Sequence, residues 1–167
     1  IAKHKGYFID IGAYDPVKFS NSYFFYLNGW SGINVDPRPG SKLLFDRVRP
    51  RDVNIEAGIS LKEGSMIYYF IDEHSTLNTF SKAYLEQNGL LNCVKKEIPI
   101  DTMKLSSLFE KNLPAGQSID FLNIDAEGFD GEILHSNNWE KYRPKVICVE
   151  LSPVCSIEDI VKHETNQ

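Results

Sequence analysis

The sequence predicts an α/β fold in which a mostly parallel sheet is flanked by helices. Three observations support this prediction. Short apolar runs alternate with amphipathic ones, the apolar runs stop at Gly, Pro or an acid, and no repeat or low-complexity linker divides the chain. Strands that alternate with helices form parallel sheets covered on both faces. We therefore predict a single domain over residues 1–167.

Each element follows from its local pattern. Buried strands are predicted where short apolar or alternating runs occur, over residues 7–11, 33–36, 53–57, 66–71, 94–100, 119–124 and 146–151. Helices are predicted where the spacing is helical, over residues 21–28, 41–49, 80–88, 104–112 and 131–138. Gly12, Gly29 and Pro37 end the first strand, the first helix and the second strand. Runs 66–71 and 94–100 are expected to add antiparallel strands beyond the third strand.

Composition narrows the class of protein. The 167 residues are 42% apolar and 25% charged, which is ordinary for a globular domain. Acids outnumber bases 23 to 18, so no basic surplus points to nucleic acid or to an anionic membrane, and no apolar run reaches the length of a membrane span. Cys93, Cys148 and Cys155 form no paired framework. We expect reduced thiols in a cytoplasmic protein.

Acidic residues stand at the ends of five predicted strands: Asp10, Asp36, Glu56, Asp125 and Glu150. The carboxyl ends of parallel strands meet at one edge of a sheet, and ligands bind there at the switch in strand order. The pattern therefore favours a binding site. The alternative is that each acid only marks where a strand meets solvent.

The first turn and the second acid indicate an adenosine-type ligand. Gly12 is the only glycine in the turn, whereas the G-x-G-x-x-G fingerprint supplies three to cradle a pyrophosphate. Asp36 stands where an acid accepts both ribose hydroxyls in such folds. We expect the fold to tolerate loss of this carboxylate. The third strand ends at Glu56 and Ala57, where an adenine ring could lie.

The segment from Asp125 to Gly128 carries two candidate catalytic carboxylates. If its backbone is extended, Asp125 and Glu127 point to the same side. Asp125 could accept a proton from an acceptor hydroxyl while Glu127 orients that acceptor, or the two could hold a divalent cation. The alternative is that Asp125 or Asp130 caps the following helix. The four histidines contain no pair with metal-ligand spacing, so no metal ligands are predicted.

Several segments carry a family resemblance. They are FIDIGAYDP (8–16), GWSGINVDP (29–37), LNTFSK (77–82), IDFLNIDAEG (119–128) and RPKVICVE (143–150), with Trp139 before the last. In this order, over about residues 7–152, the sequence resembles FkbM-type methyltransferases. One departure is Asn123, where that family more often has Lys.

The resemblance implies a Rossmann-like methyltransferase fold, S-adenosylmethionine as the methyl donor, and O-methylation of a sugar or another small hydroxyl acceptor. It implies donor contacts from Asp10, Gly12, Ala13, Tyr14 and Asp36. Asn78 and Thr79, which lie in the family-like block, are predicted to contact the substrate. The expected partner is a small-molecule or glycan acceptor, and no nucleic acid is expected.

Two other functions stay open on the sequence. One is a nicotinamide-dependent oxidoreductase, which the missing glycines disfavour, and the other is a donor-binding module without turnover. Similar methyltransferases usually add a helix and a two-stranded hairpin after the fifth strand. Residues 152–167 are too few for all three. We expect an incomplete C-terminal hairpin and an open sheet edge that could support a homo-oligomer.

Overall fold

A computed structural model describes residues 5–150 of the chain. Within that range the strands are β1 (Tyr7–Ile11), β2 (Ser31–Val35), β3 (Val53–Ile55), β4 (Gly58–Ile59), β5 (Gly64–Phe70), β6 (Lys96–Met103), β7 (Phe121–Ile124) and β8 (Val146–Val149). The α-helices there are α1 (Tyr23–Leu27), α2 (Ser41–Val48), α3 (Lys82–Gln87), α4 (Leu105–Asn112) and α5 (Asp130–His135), and a 3₁₀ turn covers Leu91–Cys93. Every predicted element in this range is present, most of them shorter than predicted.

The central sheet has five parallel strands in the order β3-β2-β1-β7-β8. Ile9 on β1 lies beside Ile33 on β2 and Leu122 on β7. The chain builds outward from β1 to β3 and later returns to add β7 on the other side of β1. This reversal is the switch point at which α/β sheets bind ligands. The predicted parallel sheet flanked by helices is thus confirmed.

The core surrounds β1, whose five residues are all buried. Helix α4 packs Leu105, Leu108 and Phe109 into the same cluster, as their spacing of three and four residues dictates. The short helix α1 behaves differently, because Phe24 is 69% exposed and only Tyr26 is buried. Residues 23–26 of this helix are all aromatic. One side of this aromatic stretch packs against the domain, and the other side faces solvent.

The predicted antiparallel pair is present but does not extend the central sheet. Strands β5 and β6 pair from Gly64 opposite Thr102 to Phe70 opposite Lys96 and, with β4 on the other side of β6, form a second sheet of three strands. The chain leaves the central sheet at Glu56 and Ala57, just after β3. Gly58 then packs so closely against the Phe80 ring that an added Cβ would lie 2.6 Å from it. Strand β4 thus pairs with β6 and does not continue the central sheet beyond β3.

The predicted incomplete hairpin and the end of the last strand fall on residues 151–167, outside the described residues. In the described sheet β3 and β8 are the outer strands. No helix between residues 5 and 150 is long and apolar enough to cross a membrane. Cys93 and Cys148 are exposed free thiols, and Cys155 lies outside the described range.

Candidate active site

A cavity of about 900 Å³, part of it open to solvent, lies at the carboxyl ends of the central strands. It is lined by all but one of the residues predicted for the site: Asp10, Gly12, Ala13, Tyr14, Asp36, Ala57, Asn78, Thr79, Asp125 and Glu127. The exception is Glu56. Its side chain is exposed and accepts a hydrogen bond from the Gly40 backbone N–H at 2.8 Å. Glu56 therefore holds the start of α2 and does not contribute to the cavity wall.

In the first turn, the backbone N–H groups of three consecutive residues are already hydrogen-bonded and are not free for a phosphate. Gly12 and Ala13 both donate to the Val35 carbonyl, at 2.9 and 3.1 Å, and Tyr14 donates to Asp36 Oδ2 at 2.8 Å. Phosphate sites on this fold need free amides at the turn. This turn is built to hold its neighbours together, which disfavours a pyrophosphate ligand.

Gly12 allows the two turns that border the cavity to touch. Its φ is +76°, and a Cβ at this position would lie 1.8 Å from the Asp125 carbonyl oxygen. No side chain fits without moving one turn away from the other. The glycine thereby fixes the distance between the Asp36 side of the cavity and the Asp125 side.

We expect Gly12→Ala to lower the free energy of unfolding by at least about 2 kcal/mol more than Gly40→Ala does. Gly40 has a similar φ of +86°, but a Cβ added there would have nothing within 4 Å, so Gly40→Ala isolates the cost of left-handed backbone, about 1–2 kcal/mol. Urea unfolding of the two variants measures the difference. Equal losses would show that the contact with Asp125 is not tight.

Asp36 is buried at the end of β2, and each of its oxygens already accepts one backbone hydrogen bond. Arg38 N–H donates to Oδ1 at 2.9 Å and Tyr14 N–H donates to Oδ2 at 2.8 Å. Burial raises the pKa of this carboxyl to about 6, although Arg38 and the two N–H groups oppose the rise. A carboxylate has about four acceptor positions, so two remain for ligand hydroxyls.

Arg38 and Tyr14 hold a loop over the Asp36 side of the cavity. Arg38 Nη1 donates to the Glu73 carbonyl at 2.6 Å, and the Tyr14 hydroxyl donates to the His74 carbonyl at 2.9 Å. The Arg38 guanidinium carbon also lies 4.9 Å from the centre of the Tyr14 ring. These contacts hold the loop that contributes Ser75 and Thr76 to the cavity wall.

Asn78 organises the same loop from beneath. Its Oδ1 accepts from Ile71 N–H at 2.7 Å, and its Nδ2 donates to the carbonyls of Asp72 and Ser75, each at 2.9 Å. Both polar atoms of the amide are thus used inside the loop. The Asn78 side chain borders the cavity, but these hydrogen bonds all go to the loop, so it stabilises the cavity wall.

Three carboxylates meet on the opposite side of the cavity. Oxygens of Asp125, Glu127 and Glu150 lie within 4.8 Å of one another. The prediction that Asp125 and Glu127 point to the same side assumes an extended backbone. The backbone is not extended here, because Glu127 has a left-handed φ of 48°. The Thr79 hydroxyl donates to the Glu127 carbonyl and the Tyr84 hydroxyl donates to Glu127 Oε2, both at 2.9 Å. Strained backbone of this kind persists where surrounding contacts fix it, often at functional sites.

The alternative that Asp125 or Asp130 caps the following helix is not seen, because the N-cap of α5 is Phe129 and no side-chain cap bond is made there. Asp130 is the first residue of α5 and bonds instead to the turn before the helix. Its Oδ1 accepts from Ala126 N–H at 2.8 Å and its Oδ2 from Gly128 N–H at 3.2 Å. Asp130 therefore helps to secure the turn before α5, together with Thr79 and Tyr84. Asp125 and Glu127 are left to line the cavity.

The acidic cluster resists full ionisation. Burial, then the charges of Asp125 and Asp130, raise the pKa of Glu127, although the Tyr84 hydrogen bond opposes this. Partial desolvation, followed by the charges of Asp125 and Glu127, raises the pKa of Glu150 to about 7. Such a cluster can accept a proton near neutral pH, and its oxygens are also ligands suited to a divalent cation.

Glu150→Gln is expected to raise the melting temperature at pH 8, by about 2 °C after allowance for solvent screening. The pKa of Glu150 is higher in the folded chain than its ordinary value of 4.5, so the native state binds more protons between pH 4.5 and 7. Stability contributed at this position therefore falls as pH rises through that range. Near pH 4.5 the variant and the parent should melt together.

The control for this experiment is Glu140→Gln, which removes an exposed acid outside the cluster. It should leave the pH profile of melting unchanged. Superimposable profiles for Glu150→Gln and the parent from pH 4.5 to 8 would contradict the assigned pKa.

Several residues of the cavity were not found by sequence reasoning. They are Phe19, Asn21, Arg38, Tyr68 and Phe129 in the wall, with Tyr84 behind Glu127. Arg38 offered a signal, because it lies two residues beyond the acid that ends β2. Phe19, 87% exposed with a φ of 57°, and Tyr84, which comes from a distant helix, offered none.

The chain matches the family model described as Methyltransferase FkbM domain over residues 10–161. The matched range contains every residue named above as part of the cavity wall. No curated protein matches the chain, and no solved structure does.

Proposed function

The chain belongs to the FkbM methyltransferase domain family, and from that premise we propose that it transfers a methyl group from S-adenosylmethionine to a hydroxyl of a sugar or another small acceptor. The observation that carries this proposal is the order of polar groups along the cavity. That order follows the order of the strands. It corresponds to the order of the adenine, ribose and amino-acid parts along the donor.

The strand order β3-β2-β1-β7 sets out four positions in a row. Ala57 follows β3 and offers an apolar surface to adenine. Asp36 follows β2 and has acceptor positions for the ribose hydroxyls. Asp10 lies on β1 and suits the cationic amino-acid end of the donor. Asp125 and Glu127 follow β7 and border the space left for the acceptor.

The residues present fit S-adenosylmethionine better than a dinucleotide. The donor joins adenosine to an amino acid without a pyrophosphate, and the first turn has its amides engaged with Val35 and Asp36. A nicotinamide dinucleotide would place two phosphates beside these occupied groups. When bound, S-adenosylmethionine supplies an electrophilic methyl group on a positively charged sulfur. The alternative of an oxidoreductase is therefore disfavoured.

The chain's own contribution to the chemistry is alignment and removal of a proton. Holding two reactants in line supplies a large part of the barrier reduction in such transfers. A hydroxyl loses its proton as the oxygen is methylated. We assign acceptance of this proton to Glu127, whereas the sequence alone favoured Asp125 for this step. Burial raises the pKa of Glu127 above the ordinary value, which favours a general base, and Tyr84 fixes one oxygen of its carboxylate. Asp125, on the same wall, orients the acceptor.

Calorimetric titration tests the proposal. We expect the chain to bind S-adenosylhomocysteine, the product form of the donor, and not to bind NAD under the same conditions. Incubation of the chain with labelled donor and cell extracts, followed by mass spectrometry, then identifies the acceptor. Preferential binding of NAD would reject the proposal, and donor binding without transfer to any acceptor would favour the binding module.

A further inference from the structure

A fully buried arginine lies behind the cavity. Arg49 has no exposed surface, and its guanidinium carbon lies 5.0, 5.1 and 5.7 Å from the ring centres of Phe8, Tyr26 and Phe45. Its Nε donates to Asp52 Oδ2 at 2.8 Å. The aromatic rings exclude water, so solvent screens the charge of Arg49 little, and the buried Asp52 carboxylate offsets part of it.

A short chain of hydrogen bonds leads from Arg49 to the cavity. Arg49 Nη1 donates to Ser22 Oγ at 3.0 Å, and Ser22 Oγ donates to Asp10 Oδ2. Asn123 Nδ2 donates to the other oxygen of Asp10 at 2.9 Å. Asp10 and Asn123 line the cavity, whereas Ser22 and Arg49 lie behind it. The bonds all point one way, from the cation to the carboxylate, and hydrogen bonds in such a series strengthen one another.

Ser22 is diverted from the role that its position would give it. It is the N-cap of α1, where a serine oxygen normally accepts a backbone N–H of the first turn. Ser22 makes no such bond, and the Tyr23 N–H donates instead to Ser20 Oγ at 3.1 Å. The hydroxyl that would have capped the helix is committed to Asp10.

We propose that Ser22 and Arg49 are positioning residues, which keep the Asp10 carboxylate ionised and directed into the cavity to receive the ammonium group of the donor. This inference rests on the proposed function, in which Asp10 faces the amino-acid end of S-adenosylmethionine. It adds to that function a series of hydrogen bonds, here called the relay, that runs from Arg49 through Ser22 to Asp10.

The charges around Asp10 show why such a relay is needed. Asp10 is 1% exposed, and burial is the main cause that raises the pKa of its carboxyl. The charge of Asp125 raises it further, while the hydrogen bonds from Ser22 and Asn123 and the charge of Arg49 lower it. Asp36, across the cavity, also interacts with Asp10, because the charge of Asp10 raises the pKa of Asp36. Arg49 is the cation that opposes these effects on Asp10.

The first experiment is calorimetric titration of the full chain with S-adenosylhomocysteine between pH 6 and 8. We expect Ser22→Ala to bind about tenfold more weakly than the parent at pH 6 and within about threefold at pH 8, because Asp10 then takes up a proton in the lower range. The comparison is the ratio of variant to parent, because Asp36 is present and titrates in both proteins. A ratio that does not change with pH would overturn the proposal.

Ser136→Ala is the matched control. Ser136 is also buried, and its hydroxyl accepts a hydrogen bond from Leu105 N–H at 2.9 Å, which does not involve Asp10. It should lower the melting temperature without changing the pH dependence of binding. If Ser136→Ala reproduces the pH-dependent ratio, the effect of Ser22 is general destabilisation and the proposal fails.

A double-mutant cycle separates the relay from packing. Asp10→Asn carries no titrating charge, so adding Ser22→Ala to it should change the affinity for S-adenosylhomocysteine by less than about twofold. A loss as large as in the parent background would show that Ser22 acts independently of Asp10.

A measurement on the parent protein covers the case in which Ser22→Ala does not fold. Carbon-13 NMR of labelled aspartate carboxyls, with the Asp10 signal assigned from Asp10→Asn, should show Asp10 ionised at pH 7. A protonated Asp10 at that pH would overturn the proposal. If the parent does not bind S-adenosylhomocysteine at all, the proposed function fails, and this NMR result still decides whether the relay keeps Asp10 charged.

Discussion

Glu127→Gln is expected to lower methyl transfer at least about a hundredfold while it leaves the affinity for S-adenosylhomocysteine within about threefold. The amide cannot take up the hydroxyl proton, yet it keeps the size of the side chain and can still bond to Tyr84. The change therefore removes the proton acceptor and little else. Single-turnover rates with labelled donor, together with calorimetric titration, separate the two effects.

Asp125→Asn and Tyr84→Phe complete this test. Asp125→Asn should also lower transfer, because it removes the second carboxylate of the wall. Tyr84→Phe should cause a smaller loss, about tenfold, since Glu127 keeps its charge but loses the bond that fixes it. If a chelator abolishes activity and Mg²⁺ restores it, the cluster holds a cation and does not act as a base. Parent rates in both Glu127→Gln and Asp125→Asn would remove these residues from the mechanism.

The second large effect is expected at Asp36. Asp36→Ala should weaken binding of S-adenosylhomocysteine by tenfold to a few hundredfold, because hydrogen bonds from two ribose hydroxyls to a charged group contribute about 1.5–3 kcal/mol each in favourable cases. The titration belongs at pH 8, where a carboxyl with a pKa of about 6 is ionised. Unchanged affinity would exclude Asp36 from the site.

Glu56→Ala is the control for Asp36→Ala. Both acids follow neighbouring strands, but Glu56 bonds to Gly40 outside the cavity, and its loss should leave donor affinity within about twofold. The sequence-based expectation that the fold tolerates loss of Asp36 needs revision. The carboxylate accepts N–H bonds from Tyr14 and Arg38, so Asp36→Ala should also lower the free energy of unfolding by about 2 kcal/mol.

The central sheet and the position of Asp36 at the cavity could be predicted because their signals are local. Strand β1 is a short run that is apolar except for Asp10 and is followed by a glycine, and Asp36 stands directly before a proline. Parallel packing then dictates that these strand ends meet. The same reasoning failed for Glu56, because the chain leaves the central sheet after β3 and β4 pairs with β6, a strand about 40 residues further along the chain.

The rest of the site depends on contacts between distant parts of the chain. Tyr84 reaches Glu127 across 43 positions, and Asn123 reaches Asp10 across 113. Arg49 has the pattern of a basic residue at the end of a helix, and nothing in its neighbourhood in the sequence shows that it is buried among aromatic rings. Periodicity identifies elements, whereas these pairings arise only when the elements pack.

A crystal structure of the chain with S-adenosylhomocysteine tests the central claim most directly. The account predicts adenine beside Ala57, both ribose hydroxyls on Asp36, the ammonium group on Asp10, and the sulfur facing the wall formed by Asp125 and Glu127. A ligand bound in the reverse direction, or outside this cavity, would contradict it.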